Sequence, residues 1–319
     1  MAKQSILLLG ATGETGGDIL EGLLEDGSLD VTCLIQPSSA SKPVVQALKD
    51  RGIKTVIGDL GGDTDALAEV VRGYDTIISA IAAFAQKAQL SLVDAAAKAG
   101  TKRFVPCGFT IVCPPEGVMQ LREDQEAVRN RIYYHHLPYT IIDVGYWHQL
   151  SLPRLSSGRI DSTLLVPRNV IYGSGNTPTM LTDKRDIGRY TALIIRDPRT
   201  LNQKVFTHSD NISQNDIIHI VEQKSGEKLA LQHLSAEETL QQREAARAAV
   251  EGGDATFLSL ATRSEMNYNY AKHIRGDNTP EVARYLGYLD ARELYPEVRP
   301  IGFAEFVEEV LGGKGRRPY

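Results

Sequence analysis

Short apolar runs alternate with longer segments of helical period over the first 143 residues of the chain. Runs such as Ile6–Leu9 are apolar on consecutive positions, which is typical of parallel strands covered by helices on both faces. The alternation predicts an α/β fold with a Rossmann-type doubly wound parallel sheet. The predicted strands are Ser5–Leu9, Asp30–Ile35, Lys54–Ile57, Asp75–Ala80, Arg103–Pro106 and Tyr139–Asp143, and the predicted helices lie near 14–26, 43–51, 63–72, 86–99 and 119–136.

The alternation of apolar runs and helical segments ends after Asp143, where glycines and prolines become frequent and indicate loops and short strands. These residues are Pro153, Gly158, Pro167, Gly173, Gly175 and Pro178. Two capping boxes, Ser213 with Asp216 and Ser235 with Glu238, predict helix starts, and the polar stretch 235–252 is expected to be a solvated helix. We therefore expect a first domain over 1–150. A smaller α/β region over 151–319, partly interleaved with it, is expected against the carboxyl edge of the sheet.

Composition excludes several classes of partner. The formal net charge is −5, from 35 basic and 40 acidic residues, so the basic surface that nucleic-acid binding requires is not expected. The three cysteines lack the spacing of a zinc site or a disulfide framework, so we expect free thiols, a cytoplasmic location and no metal. Because no run approaches the roughly 18–20 apolar residues of a membrane span, no membrane partner is expected. A monomer and a homodimer both remain open.

The most informative local pattern is a glycine-rich turn between the first predicted strand and the first predicted helix. Glycines without a Cβ let the backbone approach the pyrophosphate of a dinucleotide, and the N–H groups at the helix start can bind its charge. The spacing is GxxGxxG rather than GxGxxG, so the alternative is a turn without a ligand. The residues expected to contact the dinucleotide are Gly10, Thr12, Gly13, Glu14, Thr15 and Gly16.

The segment after the second strand bears on the choice of dinucleotide. An acidic residue there would bind the 2′-hydroxyl of NAD, but residues 34–42 contain none. Hydrogen-bond donors that can surround a 2′-phosphate are present instead, at Gln36, Ser38, Ser39 and Lys42. NADP(H) is therefore favoured over NAD, and the alternative is a loop that contacts only water.

Seven segments together resemble the isoflavone reductase-like proteins, which belong to the NmrA-like branch of the atypical short-chain dehydrogenases. The segments are Gly10–Gly16, Ile78–Ala80, Lys102–Pro106, Leu137–Thr140, Asp197–Asn202, Ile212–Asp216 and Glu293–Val298. The sequences of Pro106–Thr110 and Asp143–Trp147 are most similar to those of fungal members. The resemblance covers nearly the whole chain. It implies a Rossmann domain, a smaller substrate domain, NADPH, and hydride transfer to an aromatic or polyketide-like ketone, enone or benzylic ether.

The chain departs from that family at two places. Family reductases carry a lysine on the helix before the strand matching Pro138–Thr140, and the matching residue here is Gln125, which can hydrogen-bond but cannot donate a proton as an ammonium does. Family members also carry Pro-Ser-Glu-Phe-Gly where this chain has Pro106–Thr110. The resemblance places Ala80, Cys107 and Phe109 beside the cofactor, and Cys107 is interpreted as a small buried residue rather than a nucleophile.

Other groups could supply the chemistry. Ligands in this architecture bind at the carboxyl ends of the strands, so His148 joins Gln125 as a candidate catalytic residue, and Tyr146 and Trp147 are candidate substrate-binding residues. Tyr268 and Lys272 satisfy the YxxxK spacing of ordinary short-chain dehydrogenases but fall far outside the first domain. We interpret that match as coincidental, with lining of the substrate pocket as the alternative.

These observations favour an NADPH-dependent reductase of an aromatic or cyclic ketone or enone of the secondary-metabolite type. Two alternatives stay open. A non-redox cyclase, isomerase or dehydratase would use the same pocket by orientation and hydrogen bonding, because the family lysine is replaced by Gln125. An NmrA-like regulator would bind the dinucleotide and a protein partner without catalysis.

Overall fold

The computed structural model describes residues 3–165 and 169–318, so Pro167, one of the expected loop signals, lies outside the described residues. Its strands are β1 Gln4–Leu9, β2 Leu29–Ile35, β3 Lys54–Ile57, β4 Thr76–Ser79, β5 Arg103–Val105, β6 Thr140–Asp143, β7 Tyr146–Trp147, β8 Val170–Tyr172, β9 Thr179–Thr182, β10 Gln203–Phe206, β11 Asp210–Ile212, β12 Gln232–Leu234 and β13 Tyr288–Asp290. Its α-helices are α1 Glu14–Glu25, α2 Pro43–Asp50, α3 Thr64–Val71, α4 Gln89–Ala99, α5 Gln120–Tyr134, α6 Lys184–Ile194, α7 Gln214–Ser225, α8 Ala236–Glu251, α9 Phe257–Asn269, α10 Pro280–Tyr285, α11 Ala291–Leu294 and α12 Phe303–Glu309.

The central sheet is parallel and has the strand order β3-β2-β1-β4-β5. From β1 the chain adds β2 and β3 on one side of this strand and then returns to add β4 on its other side. The strand order therefore reverses between β1 and β4, and dinucleotides bind at this position in such sheets. A parallel bridge from Phe104 to Tyr139 connects β5 to a second parallel group in the order β6-β10-β13. Strands from the second half of the chain thereby continue the sheet.

Alternate residues of each central strand pack on opposite faces of the sheet. Ile6 and Leu8 of β1 belong to a core that includes residues of α1 and α6, whereas Leu7 and Leu9 belong to a core with α3, α4 and α5. All four side chains are at most 4% exposed. The consecutive apolar positions read from the sequence thus fill two cores, one on each face of the sheet.

The six predicted strands and five predicted helices of the first half are confirmed, with end shifts of a few residues. The largest shift is in the helix expected near 86–99, because α4 begins at Gln89 and the preceding Ala83–Ala88 forms 3₁₀ turns broken at Ala85. Both capping boxes are confirmed, since Ser213 and Ser235 each accept a hydrogen bond from the backbone N–H three residues later. The solvated helix expected over 235–252 is α8.

The smaller region contains short strands and helices. Strands β11, β9 and β7 form one group with an antiparallel and a parallel pairing, and β12 pairs with β8. Its apolar core includes Phe303 and Phe306 of α12 together with Ile217 and Val221 of α7. Among residues 3–165 and 169–318, no helix combines the length and the apolar character needed to cross a bilayer.

Candidate dinucleotide and substrate site

The glycine-rich turn joins β1 to α1 directly beside the end of β4. The N–H of Ala80 donates to the carbonyl of Leu9 at 2.9 Å, and the N–H of Gly13 donates to the carbonyl of Gly10 at 2.9 Å. Thr12 and Gly13 are exposed, and no side chain caps the start of α1 at Gly13. The first turn of α1 therefore presents its N–H groups to the crevice between β1 and β4, as anion binding requires.

The three glycines of this turn differ in what a side chain would meet. A Cβ on Gly10, where φ is +90°, would lie 2.3 Å from the carbonyl oxygen of Ala80, and one on Gly16 would lie 2.0 Å from that of Gly10. The fold itself requires these two glycines. A Cβ on Gly13 would meet only the Gly10 oxygen, at 3.3 Å. The packing of the protein alone does not demand glycine at position 13, so this position fits a cradle for a phosphate group.

The carboxylate of Glu14 is held by the ammonium of Lys184, which also lies 3.3 Å from the Asp18 carboxylate. Lys184 begins α6, and α6 packs on α1 so closely that a Cβ on Gly22 would fall 2.3 Å from the carbonyl carbon of Gly188. The buried ammonium offsets the acidic side chain at the helix start. The shared ammonium of Lys184 therefore reduces the repulsion that a phosphate would meet at the backbone N–H of Glu14.

The expected ribose loop lies beside this turn. Leu9 pairs with Leu34 in the register of β1 and β2, which brings Gln36 next to the glycine turn. Residues Pro37–Ser39 form a 3₁₀ turn, and Lys42 occupies the N-cap position of α2 without a side-chain capping hydrogen bond. Ser38 and Lys42 are exposed, whereas Gln36 and Ser39 are half-buried. All four side chains are located on one loop at the carboxyl edge of the sheet.

Gln125 and Cys107 meet in a buried amide cluster behind the end of β5. The Nε2 atom of Gln125 donates to the carbonyl of Cys107 at 3.2 Å, and the N–H of Cys107 donates to Oε1 of Gln89 at 2.8 Å. Gln89 in turn donates to Oε1 of Gln86 at 2.9 Å. The Oε1 atom of Gln125 is buried without a partner among the described residues. Gln125 therefore holds the loop after β5 and keeps one acceptor for a further donor.

The thiol of Cys107 is directed at the carbonyl of Ile81, 3.3 Å away. Burial raises the pKa of this thiol to about 11. Burial also raises the pKa of Cys33 to about 11 and the pKa of Cys113, so all three thiols are protonated at neutral pH. Because the thiolate is the reactive form, this environment supports the interpretation of Cys107 as a buried structural residue.

The native protein is expected to react with fewer than one equivalent of a thiol reagent at pH 8, whereas the urea-unfolded chain should react with three. Folding removes all three thiols from solvent and raises the pKa of each. The measurement is the absorbance of released thionitrobenzoate, with mass spectrometry of labelled peptides. Selective, rapid labelling of Cys107 in the native protein would show instead that this thiol is an accessible nucleophile.

Gly108, at the position where the family resemblance expects a glutamate, lies in close contact with β6. A Cβ on Gly108 would lie 2.4 Å from the carbonyl oxygen of Ile142, so no side chain fits there. Phe109 follows with φ of +51°, an uncommon value for a bulky residue, and its N–H donates to the same carbonyl at 2.7 Å. Strained residues of this kind are concentrated at functional sites. The loop after β5 is thus held tightly against β6.

A polar and aromatic cluster lies where β5 and β6 end. The hydroxyl groups of Thr110 and Tyr268 are 2.6 Å apart, and the Tyr268 ring lies 5.5 Å from the ring of Tyr146. The ammonium of Lys272 is 3.3 Å from the centroid of the Tyr146 ring. The two residues of the YxxxK match therefore meet at the carboxyl edge of the sheet. This placement favours pocket lining over the coincidental interpretation.

Trp147 and His148 point away from that cluster. The Trp147 ring lies 5.6 Å from the Lys184 ammonium, on the side of α1 and α6. His148 is fully buried, shares a hydrogen bond of 2.9 Å with Ser209, and packs against Phe303 and Phe306 of α12. The structure thus gives His148 contacts typical of a structural residue, while Tyr146 alone of the three adjacent residues reaches the aromatic cluster.

The model of the NmrA-like family matches residues 2–307. The chain belongs to the NmrA-like family. Among curated relatives of this NmrA-like protein, asnovolin J 5′,6′-dehydrogenase of Aspergillus novofumigatus is 39% identical over 313 residues, with 97% of this chain and 96% of the relative covered. An isoflavone reductase homolog of Arabidopsis thaliana is 28% identical, with 96% and 97% covered.

A solved complex of leucoanthocyanidin reductase with NADPH from Vitis vinifera matches the NmrA-like chain with a TM-score of 0.78 at 21% identity. The match covers 97% of this chain and 99% of that one. Together the comparisons confirm the expected family, the Rossmann-type fold and the class of oxidoreductase. The expected cofactor, NADP(H), is the dinucleotide that the Vitis structure holds.

Proposed function

We propose that this protein is an NADPH-dependent reductase of an aromatic or cyclic ketone or enone of the secondary-metabolite type. The observation that carries the proposal is the convergence of two features on one sheet edge. An uncapped helix start follows a glycine turn at β1, and the cluster of Tyr146, Tyr268 and Lys272 lies where β5 and β6 end. Ligands of doubly wound sheets bind along this edge.

Each part of the edge has a distinct task in the proposed reaction. The N–H groups after Gly13 bind the pyrophosphate, and the loop from Gln36 to Lys42 binds the phosphorylated ribose. The dinucleotide, when bound, supplies the hydride. The loop after β5 is held by Gln125 and Gly108 and forms a rigid wall at the reacting end. Such preorganisation lets the site orient its substrate without a cost of rearrangement during the reaction.

The lining of a small cleft between α5 and α9 supports the proposed substrate class. Phe84, Met119, Leu121 and Leu260 line this cleft, with Arg263 and Asp124 among its polar residues. Phe84 is 55% exposed and contacts Phe257, which is 76% exposed, at a ring distance of 6.3 Å. Apolar side chains interspersed with a few polar groups are suited to contacts with a largely apolar ring compound.

A specific observation supports a second candidate, a non-redox cyclase, isomerase or dehydratase. Gln125 occupies the position at which the family resemblance expects a lysine, and its amide is committed to the carbonyl of Cys107. A site that works by hydrogen bonding alone would convert the substrate without consuming NADPH.

The two candidates are separated by following NADPH absorbance and product mass in the same reactions. The test uses aromatic and cyclic ketones and enones together with their hydroxylated precursors. The reductase proposal expects products heavier by two hydrogens, with equimolar loss of NADPH. Products of unchanged redox level, formed equally well without NADPH, would replace the reductase by the non-redox enzyme.

NADPH is expected to bind more tightly than NADH, and Lys42→Ala should weaken NADPH binding by about five- to tenfold, because an exposed charged contact is worth on the order of 1 kcal/mol. NADH binding should be unchanged. Lys49→Ala, at the other end of α2 and also exposed, is the matched control. Fluorescence titration measures all the affinities. Equal affinities for the two nucleotides, or a parallel loss of both in Lys42→Ala, would contradict the assignment of the 2′-phosphate to this loop.

A further inference from the structure

Lys272 is a buried lysine at the carboxyl edge of the sheet. The residue is 3% exposed, and its ammonium lies over the Tyr146 ring at 3.3 Å from the centroid. Tyr146 follows β6 by three residues, after Val144 and Gly145. The lysine side chain therefore reaches from the second half of the chain to Tyr146 of β7, just beyond the carboxyl end of β6, where a substrate is expected.

The backbone that carries Lys272 is unusual. The last turns after α9, from Tyr270 to Arg275, form a π-helix that ends at Gly276, where φ is +73°. Single π-helical turns are rare and are frequently found at functional sites. One turn earlier, Tyr268 bonds to Thr110, so the helix is attached to the loop after β5 at the same place.

The side chains that face the Lys272 ammonium are aromatic, and a carboxylate acts on it through its charge. Tyr146 covers it from the sheet, and Tyr268 lies beside Tyr146. On α9, Glu265 is the carboxylate whose charge acts on Lys272, and the neighbouring His273 stacks on Tyr172 and is itself buried. A lysine needs no such enclosure to stabilise a fold, because exposed lysines pair with acids at lower cost.

We propose that Lys272 is the catalytic residue that transfers the proton in this reaction, in place of the lysine that the family carries at the position of Gln125. The proposal rests on the reductase function above. Gln125 and Tyr268 hold the two ends of the same short loop, one through the carbonyl of Cys107 and the other through Thr110. Loss of the lysine on α5 is thus compensated by Lys272, which arrives from the π-helix after α9 and contacts Tyr146, the ring neighbour of Tyr268.

The proton and electron balance of the step is simple. The hydride and its electron pair come from NADPH, which becomes NADP⁺, and they form a new C–H bond at the electrophilic carbon of the ketone or enone. The Nζ–H bond of Lys272 breaks, and its proton forms the O–H bond of the resulting alcohol or enol. The neutral amine is then protonated again from solvent. In the oxidative direction the same amine accepts the hydroxyl proton.

Burial lowers the pKa of Lys272 to about 7, with Glu265 opposing the shift. An acid with this pKa is protonated below neutrality and can give up its proton readily near neutrality. The reductive kcat/KM is therefore expected to be high below pH 7 and to fall as the pH rises through about 7, because the ammonium is lost. The oxidative kcat/KM should rise over the same range.

The test compares Lys272→Met with Lys204→Met. Methionine retains a flexible apolar stem beside Tyr146 but no ammonium. Lys204 is the matched control because its ammonium also lies over a tyrosine ring, that of Tyr288 at 5.0 Å, on β10 in the sheet. Lys272→Met is expected to lower kcat by about 10²–10⁴-fold, the usual contribution of a general acid. The KM and the NADPH dissociation constant should change less than threefold, and Lys204→Met should retain wild-type kcat.

A second readout does not require turnover. In protein labelled with ¹³C at lysine Cε, NMR titration should show one resonance with a midpoint near pH 7 that is missing in Lys272→Met and present in Lys204→Met. A Lys272 resonance titrating above pH 9 would overturn the proposal. A wild-type kcat in Lys272→Met would also overturn it. So would loss of the pH dependence of kcat/KM near pH 7 in Tyr268→Phe alone, because Tyr268 would then be the titrating group. A wild-type protein that converts no substrate with NADPH consumption would instead overturn the proposed function.

Discussion

Replacing Gly13 by leucine is expected to raise the dissociation constants of NADPH and NADH by about 100-fold, equivalent to about 2.7 kcal/mol. The side chain would enter the space in front of the first turn of α1, where the pyrophosphate must approach the backbone N–H groups. The fold should survive, because Gly13 has φ of −92° and ψ of 174°, an extended conformation that any residue adopts. Isothermal titration with both nucleotides gives the affinities.

Two further variants make this experiment decisive. Gly27→Leu is the matched control, since Gly27 is exposed, has a Cβ position free of neighbours within 4 Å, and lies beyond the far end of α1. Its nucleotide affinity should equal that of the wild type. Gly16→Leu should lower the melting temperature instead, because its Cβ would overlap the carbonyl of Gly10. Unchanged nucleotide affinity in Gly13→Leu would remove the phosphate-binding assignment of the turn.

Arg122→Met is expected to destabilise the folded protein by about 3–5 kcal/mol, the usual effect of removing one partner from a buried ion pair. The guanidinium of Arg122 lies 2.9 Å from the carboxylate of Asp143 and donates to the carbonyl of Ile111 at 2.8 Å. Both charged side chains are at most 1% exposed. Although burial disfavours the charge, Asp143 holds the pKa of Arg122 above its ordinary value.

Urea unfolding at pH 7 measures this loss, with Arg72→Met as the control. Arg72 pairs with Glu69 at 2.6 Å, but their side chains are 52% and 69% exposed, so the loss of this pair should leave the free energy of unfolding nearly unchanged. The double variant Arg122→Met with Asp143→Asn should recover part of the loss, because it removes a buried carboxylate that would otherwise have only the Arg129 guanidinium, 3.5 Å away, as its ion-pair partner, and because Tyr288 still donates to position 143. Equal costs for the Arg122 and Arg72 variants would show that the buried pair contributes no more than a surface pair.

The fold could be predicted from the sequence because the patterns that indicate it are local. Consecutive apolar residues such as Ile6–Leu9 report a strand buried on both faces, and the capping boxes at Ser213 and Ser235 report helix starts within four residues. The proposed phosphate-binding turn is also a local pattern, formed by one strand end and one helix start. The prediction of a dinucleotide at Gly13 therefore required no knowledge of distant contacts.

By itself, then, the sequence determined the parallel sheet, its helices and the position of the glycine turn, since each depends on neighbours within one or two elements. Only the tertiary structure decided which side chains meet at the proposed reacting end. It enclosed His148 among aromatic residues of α12, tied Gln125 to Cys107, and brought Lys272 to Tyr146 across 126 positions of the chain. Neither the burial of an amine nor the face toward which a ring turns is encoded in local spacing, because both depend on which distant elements pack together.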